Sequence, residues 1–259
     1  MLGGAHGGSG SLMARFWVGT SGWSYDNWRG PFYPAHLARR DWLVHYAGAL
    51  SSVEINASFY HLPRQSVLEG WAARTPADFL FAIKGWRAIT HYRRLHDCAE
   101  PLATFLGRIA ALGAKGGPVL FQLPPRFAFD AERLARFLAL LPADRRFAFE
   151  FRDPDWHRDE VYALLGAHNA AFCPFELGPA TAPRVVTADF VYVRLHGRRA
   201  RYRGAYTEAE LEEWAGWLGA RLAEGRDVYL YFDNTDEADH AIHNAIRLGE
   251  LLAAGPPAG

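Results

Sequence analysis

Lysine is almost missing from this chain: of 28 basic residues only Lys84 and Lys115 are lysine, and the other 26 are arginine. Where arginine serves as the general cation, a lysine ending an apolar run suggests a task the planar guanidinium fork does poorly: a compact point charge, a shiftable pKa or a Schiff base. Lys84 ends the run FLFAIK, whereas Lys115 sits in the turn AKGGP and is expected to be solvated. Cysteine is equally scarce, and Cys98 and Cys173 alone make no disulfide scaffold. The opening MLGGAHGGSGSLMARF has no apolar signal core, so a cytoplasmic location is expected, with Met1 and Met13 both open as the start. No apolar run approaches the length of a membrane span, so no membrane partner is expected. Formal net charge is zero, which argues against a general nucleic-acid coat and leaves room for a local basic patch. Glycine-rich phosphate fingerprints of the Rossmann or P-loop type are absent, as is HExxH.

What is present is apolar and aromatic. Half of the 259 residues are hydrophobic and 14% are aromatic, enough for one large core. Strand-like runs recur near Phe16 to Gly19, Ser52 to Ile55, Phe79 to Lys84, Val119 to Gln122, Phe147 to Glu150, Ala171 to Pro174, Phe190 to Leu195 and Val228 to Phe232. Helical periods lie between them. Leu211, Trp214, Ala215, Leu218 and Leu222 form one stripe, Leu102, Phe105, Leu106, Ile109 and Leu112 a second, and Leu134, Phe137, Leu138 and Leu141 a third. Ser66 with Glu69, and Thr207 with Glu210, fit capping boxes. Strands buried on both faces and separated by helices predict an α/β fold, a single TIM-like (β/α)8 barrel over residues 15–253. The stretch after the sixth strand, with Pro179 and Pro183 and no amphipathic stripe, predicts a short or absent helix. Residues 1–14 read as a disordered Gly/Ser-rich extension and 254–259 as a frayed tail.

Polar residues end these runs two apart: Glu54/Asn56, Glu150/Arg152 and Arg194/His196, with Gln122 and Asp233 closing two other runs. Alternate strand residues share a face, so each dyad lies on one face while the intervening apolar residues cover the other. Costly groups gathered at strand C-termini point to one site there.

The motifs VGTSGWSYDNWRGPFYP, VEINASFYHLP, ITH, LFQLPPRF, EFRDPDW, YVRLHGR and YLYFDN, in this order from Val18 to Asn234, resemble the domain of unknown function 72 family, also called YecE-like proteins. The resemblance spans roughly Val18 to Leu252 and implies a TIM-type barrel; it implies no assigned activity. Where the family carries paired asparagines after the last strand, this chain has Asp233 then Asn234, which adds an acid.

Glu54, Glu150 and His196 are the acid/base candidates, with Lys84, Arg152 and Arg194 stabilising negative charge. A glycosidase-like carboxylate pair is one form of this chemistry. The alternative is a structural ion-pair network of the same groups. His91 and His196 follow strand ends; with the nearby carboxylates they offer ligands for a divalent ion, but no metal or other cofactor is expected from any tight motif. Arg199 and Arg201 in GRRARYRGAY are expected to hold phosphate. Among the loop aromatics, Trp23, Tyr60 and Trp156 are expected to face ligand and the rest to form a lid. The chain therefore reads as an enzyme on a small anionic, phosphorylated or sugar-like substrate, with Asn56, Gln122, Asp233 and Asn234 among its contacts. A divalent-metal phosphoesterase and a non-catalytic nucleic-acid or ligand-binding barrel are the alternatives, nucleic acid being the less favoured partner, and the oligomeric state stays open.

Overall fold

The computed structural model describes residues 13–255. The extension expected over 1–14 and the tail over 254–259 lie outside these residues, apart from Met13, Ala14, Ala254 and Gly255. Ten strands form one sheet in the order β6-β5-β4-β3-β2-β1-β10-β9-β7-β8. They are β1 (Phe16–Ser21), β2 (Ser52–Ile55), β3 (Leu80–Lys84), β4 (Gly116–Leu123), β5 (Phe147–Phe151), β6 (Ala171–Phe172), β7 (Phe175–Leu177), β8 (Ala180–Thr181), β9 (Phe190–Leu195) and β10 (Asp227–Phe232). Neighbours pair in parallel except β7 and β8, which form an antiparallel hairpin. The helices are α1 (Trp42–Ala47), α2 (Ala57–Tyr60), α3 (Gln65–Ala73), α4 (Ala99–Ile109), α5 (Ala131–Leu138), α6 (Asp159–Ala167), α7 (Glu208–Ala223) and α8 (His240–Ala254). None is long and apolar enough to cross a membrane among the described residues.

Period-two alternation builds two apolar layers. One face of the strands, with Val53, Ile55, Phe121, Phe149, Phe151, Val193 and Leu195, packs against the helices. The other face contributes Trp17, Ala82, Leu120, Ala148, Phe190, Tyr192, Tyr229 and Tyr231 to one connected cluster. A flat sheet this wide cannot bring β2 and β5 against β9, as the bonds of Arg194 to Glu54 and Glu150 require, so the sheet curls about this inner layer. Large rings from β1, β9 and β10 fill the space left by Ala82 and Ala148; Trp17 and Tyr229 stack with centroids 4.8 Å apart. Gly19 permits the tight approach of β1 to β2, since a Cβ there would lie 2.1 Å from the Ser52 carbonyl oxygen.

The eight expected strands all have counterparts, but the sixth stops early. Pro174 has no N–H to continue the ladder, so β6 ends at Phe172 and the chain resumes as β7. Cys173 N–H still donates to Phe149 O (2.8 Å), while Pro174 O accepts from Arg194 N–H (3.1 Å). No helix follows; β7, β8 and irregular chain fill residues 175–189. The capping box at Thr207 and Glu210 is formed. The one expected at Ser66 is not: α3 begins two residues earlier, at Gln65 with Arg64 as its cap, and Glu69 accepts from Gln65 instead.

Candidate functional site

The dyads meet at the C-terminal end of the strands, because their side chains continue the inner face. Arg194 on β9 follows Tyr192 on that face, and its guanidinium is fully buried. It donates to Glu54 Oε1 on β2 (2.8 Å), Glu150 Oε2 on β5 (2.9 Å), Asp233 Oδ2 after β10 (3.2 Å) and Ser21 Oγ on β1 (3.0 Å). Burying so many charges is tolerable only because each one is paired. Glu54 is held further by the Ser21 hydroxyl and by Tyr192 OH, which donates to Oε2 at 2.6 Å. Glu150 also accepts from Arg152 Nε. His196 places Nδ1 2.8 Å from Asp233 Oδ2 and Nε2 3.2 Å from Arg152 Nη2.

The charges are set by this pairing. Burial pushes the Glu150 carboxyl up, but Arg152, Arg194 and His196 together outweigh it and hold it well below the usual carboxylate range. Asp233 is likewise lowered, burial being outweighed by the His196 hydrogen bond and by Arg194. Lys84 differs. Its ammonium lies 4.6 Å from the Phe59 ring centroid and has no carboxylate within ion-pair distance among the described residues. Burial, helped by the charge of Arg194 and opposed by Glu54, Glu150 and Asp233, lowers it to about 8. His91, on the π-helical turn Ala88–Tyr92, packs edge-on against Phe59 at 4.8 Å. Burial and then the charges of Lys84 and Arg152 push it down to about 4, so it is neutral near pH 7. The arrangement is a buried ionic base with one loosely held ammonium, a neutral imidazole and the edge of Arg152 above it.

The sequence matches the family "Protein of unknown function DUF72" over residues 17–258. This chain belongs to the DUF72 family. UPF0759 protein YunF of Bacillus subtilis is 27% identical over 91% of this chain and 94% of that protein. UPF0759 protein YecE of Escherichia coli K12 is 30% identical over 54% of this chain and 49% of that protein. A DUF72 family protein from Thermotoga maritima superposes with a TM-score of 0.83 at 28% identity, covering 92% of this chain and 99% of that one. A glycoside hydrolase family 5 enzyme from Prevotella bryantii shares the fold at a TM-score of 0.51 and 9% identity, covering 93% and 96%. The expected family is therefore shown, with a TIM-like fold.

In this DUF72 chain Glu54, Glu150, Arg152, Arg194, His196 and Asp233 lie in one hydrogen-bonded network, with Lys84 beside it on Phe59. Asn56 adjoins them, donating from Nδ2 to Ser21 Oγ at 2.6 Å. Gln122 is half-buried and donates to Leu123 O. Other candidates lie elsewhere. Trp156 is completely buried on the helix side, stacked on Phe151 at 4.9 Å with its indole N–H donated to Phe127 O, so it presents no face to a ligand. Asn234 is buried and donates to Gly204 O and Asn244, which pins the loop after β9. Arg199 turns to Glu210 on α7 (2.8 Å), and Arg201 is exposed with its stem against Gly178. Trp23 meets Trp71 edge-on in a cleft of about 480 Å³ that Asn56 also lines. Of the expected lid, Trp28 and Tyr33 are fully buried, Tyr33 stacking on Trp42 of α1. Ser21 and Tyr192, the closest partners of Glu54, were not anticipated; their signal was inner-face parity with Trp17 and Arg194. Among the described residues no group of three or more His, Cys, Asp and Glu side chains is arranged to hold a metal ion.

Proposed function

We propose that this DUF72 protein is an enzyme that binds a small polar anion, phosphorylated or sugar-like, at the C-terminal end of the strands and acts on it by acid/base chemistry. The observation that carries this reading is the position of Lys84. Glu54, Glu150 and Asp233 are committed to Arg194, Arg152 and His196, which leaves the Lys84 ammonium beside this cluster without an ion-pair partner among the described residues. An anionic ligand supplies that partner, and a lysine held at about 8 exchanges a proton near neutral pH. Arg152 and neutral His91 flank the ligand, while Glu54, Glu150 and the His196–Asp233 pair orient the arginines. The carboxylate-pair form of the chemistry is the weaker version, because Glu54 and Glu150 share the same guanidinium. The reading includes closure of the sheet into a (β/α)8 barrel through residues 171–177, supported by their bonds to β5 on one side and β9 on the other.

A turnover screen over phosphate esters and sugar acids tests this. Wild type should turn over a member of the panel, and Lys84→Ala and Lys84→Arg should each lose about 100-fold or more in kcat, the usual weight of a general acid or base. Near-normal turnover by Lys84→Arg would show that only positive charge is needed there. Binding without turnover across the panel would favour a non-catalytic ligand-binding role.

A further inference from the structure

Among the described phenylalanines, tyrosines and tryptophans only two are more than half exposed: Tyr60 at 56% and Tyr92 at 69%. They come from different elements, α2 and the turn after β3, yet both lie against one guanidinium. Arg87 Cζ is 5.5 Å from the Tyr60 centroid and 5.3 Å from that of Tyr92. The pair adjoins the charged cluster: Tyr60 meets Phe59 at 5.0 Å, and Phe59 carries Lys84 Nζ on its ring at 4.6 Å. Three further arginines are exposed and close in sequence to these rings, Arg64 four residues after Tyr60 and Arg93 and Arg94 directly after Tyr92; Arg93 donates to Asp97 O at 2.9 Å and Arg94 lies 5.7 Å from the Phe127 centroid. Exposed rings steadied by one arginine and joined through Phe59 to the Lys84 ammonium match a planar ring attached to a negative charge, because π-faces stack without regard to ring identity.

We infer that the anion held at Lys84 carries such a ring, seated on the Tyr60–Arg87–Tyr92 platform, so that the ligand is a nucleotide, free or as the end of a single strand. This rests on the anion site proposed above and adds its ring specificity. The span from the Tyr60 ring through Phe59 to Lys84 is one that a nucleoside monophosphate covers, with its base outside and its phosphate inside. Neither tyrosine belongs to the buried network, so replacing them leaves the fold and the anion site standing.

Calorimetric titration with ribose 5-phosphate, adenosine 5′-monophosphate and a 5′-phosphorylated hexanucleotide, on wild type and Tyr60→Ala/Tyr92→Ala, tests the inference. Wild type should bind the monophosphate roughly tenfold more tightly than ribose 5-phosphate, the order expected for one stacked base. The double variant should bind the two alike, with ribose 5-phosphate unchanged from wild type. Equal affinities in wild type would overturn the platform and leave the anion site in place. No binding of any probe would overturn the anion site beneath it. A hexanucleotide that binds more tightly than the monophosphate, with a steeper salt dependence, identifies a strand end; an equal or weaker one identifies the free nucleotide.

Discussion

Glu150 gives its two carboxylate oxygens to two guanidinium groups, Arg152 at Oε1 and Arg194 at Oε2. Its burial is complete, so removing the charge leaves two cations short of a counter-ion where water does not reach. Glu150→Gln should therefore lower stability by about 3–5 kcal/mol, read from urea unfolding at pH 7. The carboxyl is held well below its ordinary value, so its contribution is fully present above the ordinary carboxylate range and is lost as pH falls from there to the lowered value of the folded state. The Gln variant should accordingly lose less on acidification than wild type. A cost below about 1 kcal/mol, with the acid limb unchanged, would mean that the pairing is not structural.

At the scale of elements, the C-terminal ends of the strands were legible because side chains alternate with period two: once Val191, Val193 and Leu195 face the helices, Arg194 and His196 must face inward with Tyr192. The same parity placed Glu54 with Asn56 and Glu150 with Arg152. Loops carry no such parity. Trp156 follows β5 as Arg152 does, but a short turn directs its ring onto Phe151 on the helix side. The missing helix after the sixth strand was readable in composition, whereas the break at Pro174 was not, and β7 depends on pairing with β9 between residues 19 apart in sequence, Phe175 with Arg194 and Glu176 with Leu195. The loop after β9 turns back at Gly197, where φ is +97° and a Cβ would meet Ala200 O at 2.3 Å. That turn sends Arg199 to Glu210, the residue that closes the capping box of α7. Arg199→Ala with Arg201→Ala should therefore leave ribose 5-phosphate affinity unchanged and cost under about 1 kcal/mol of stability, since the pair is exposed. A tenfold loss of affinity in calorimetry would return this loop to the ligand site.

Over the whole molecule the formal charge is zero, so long-range attraction does not account for the proposed anion binding. Affinity must come from the cations gathered at one end of the sheet, and among these Lys84, lowered to about 8, is the one that discharges in mildly alkaline solution. Its pKa is lowered by folding, so between about 8 and the ordinary lysine value the unfolded chain binds more protons, and this group makes the fold more stable as pH rises. A loss of binding in that window is therefore not a loss of fold. The most direct measurement is the pH profile of ribose 5-phosphate affinity between pH 7 and 10, where the phosphate is already a dianion. Wild-type affinity should hold up to about pH 8 and then fall, approaching tenfold per pH unit, while Lys84→Arg, charged throughout, should give a flat profile. The same falling profile in both proteins, or a flat one in wild type, would contradict an anion site built on Lys84.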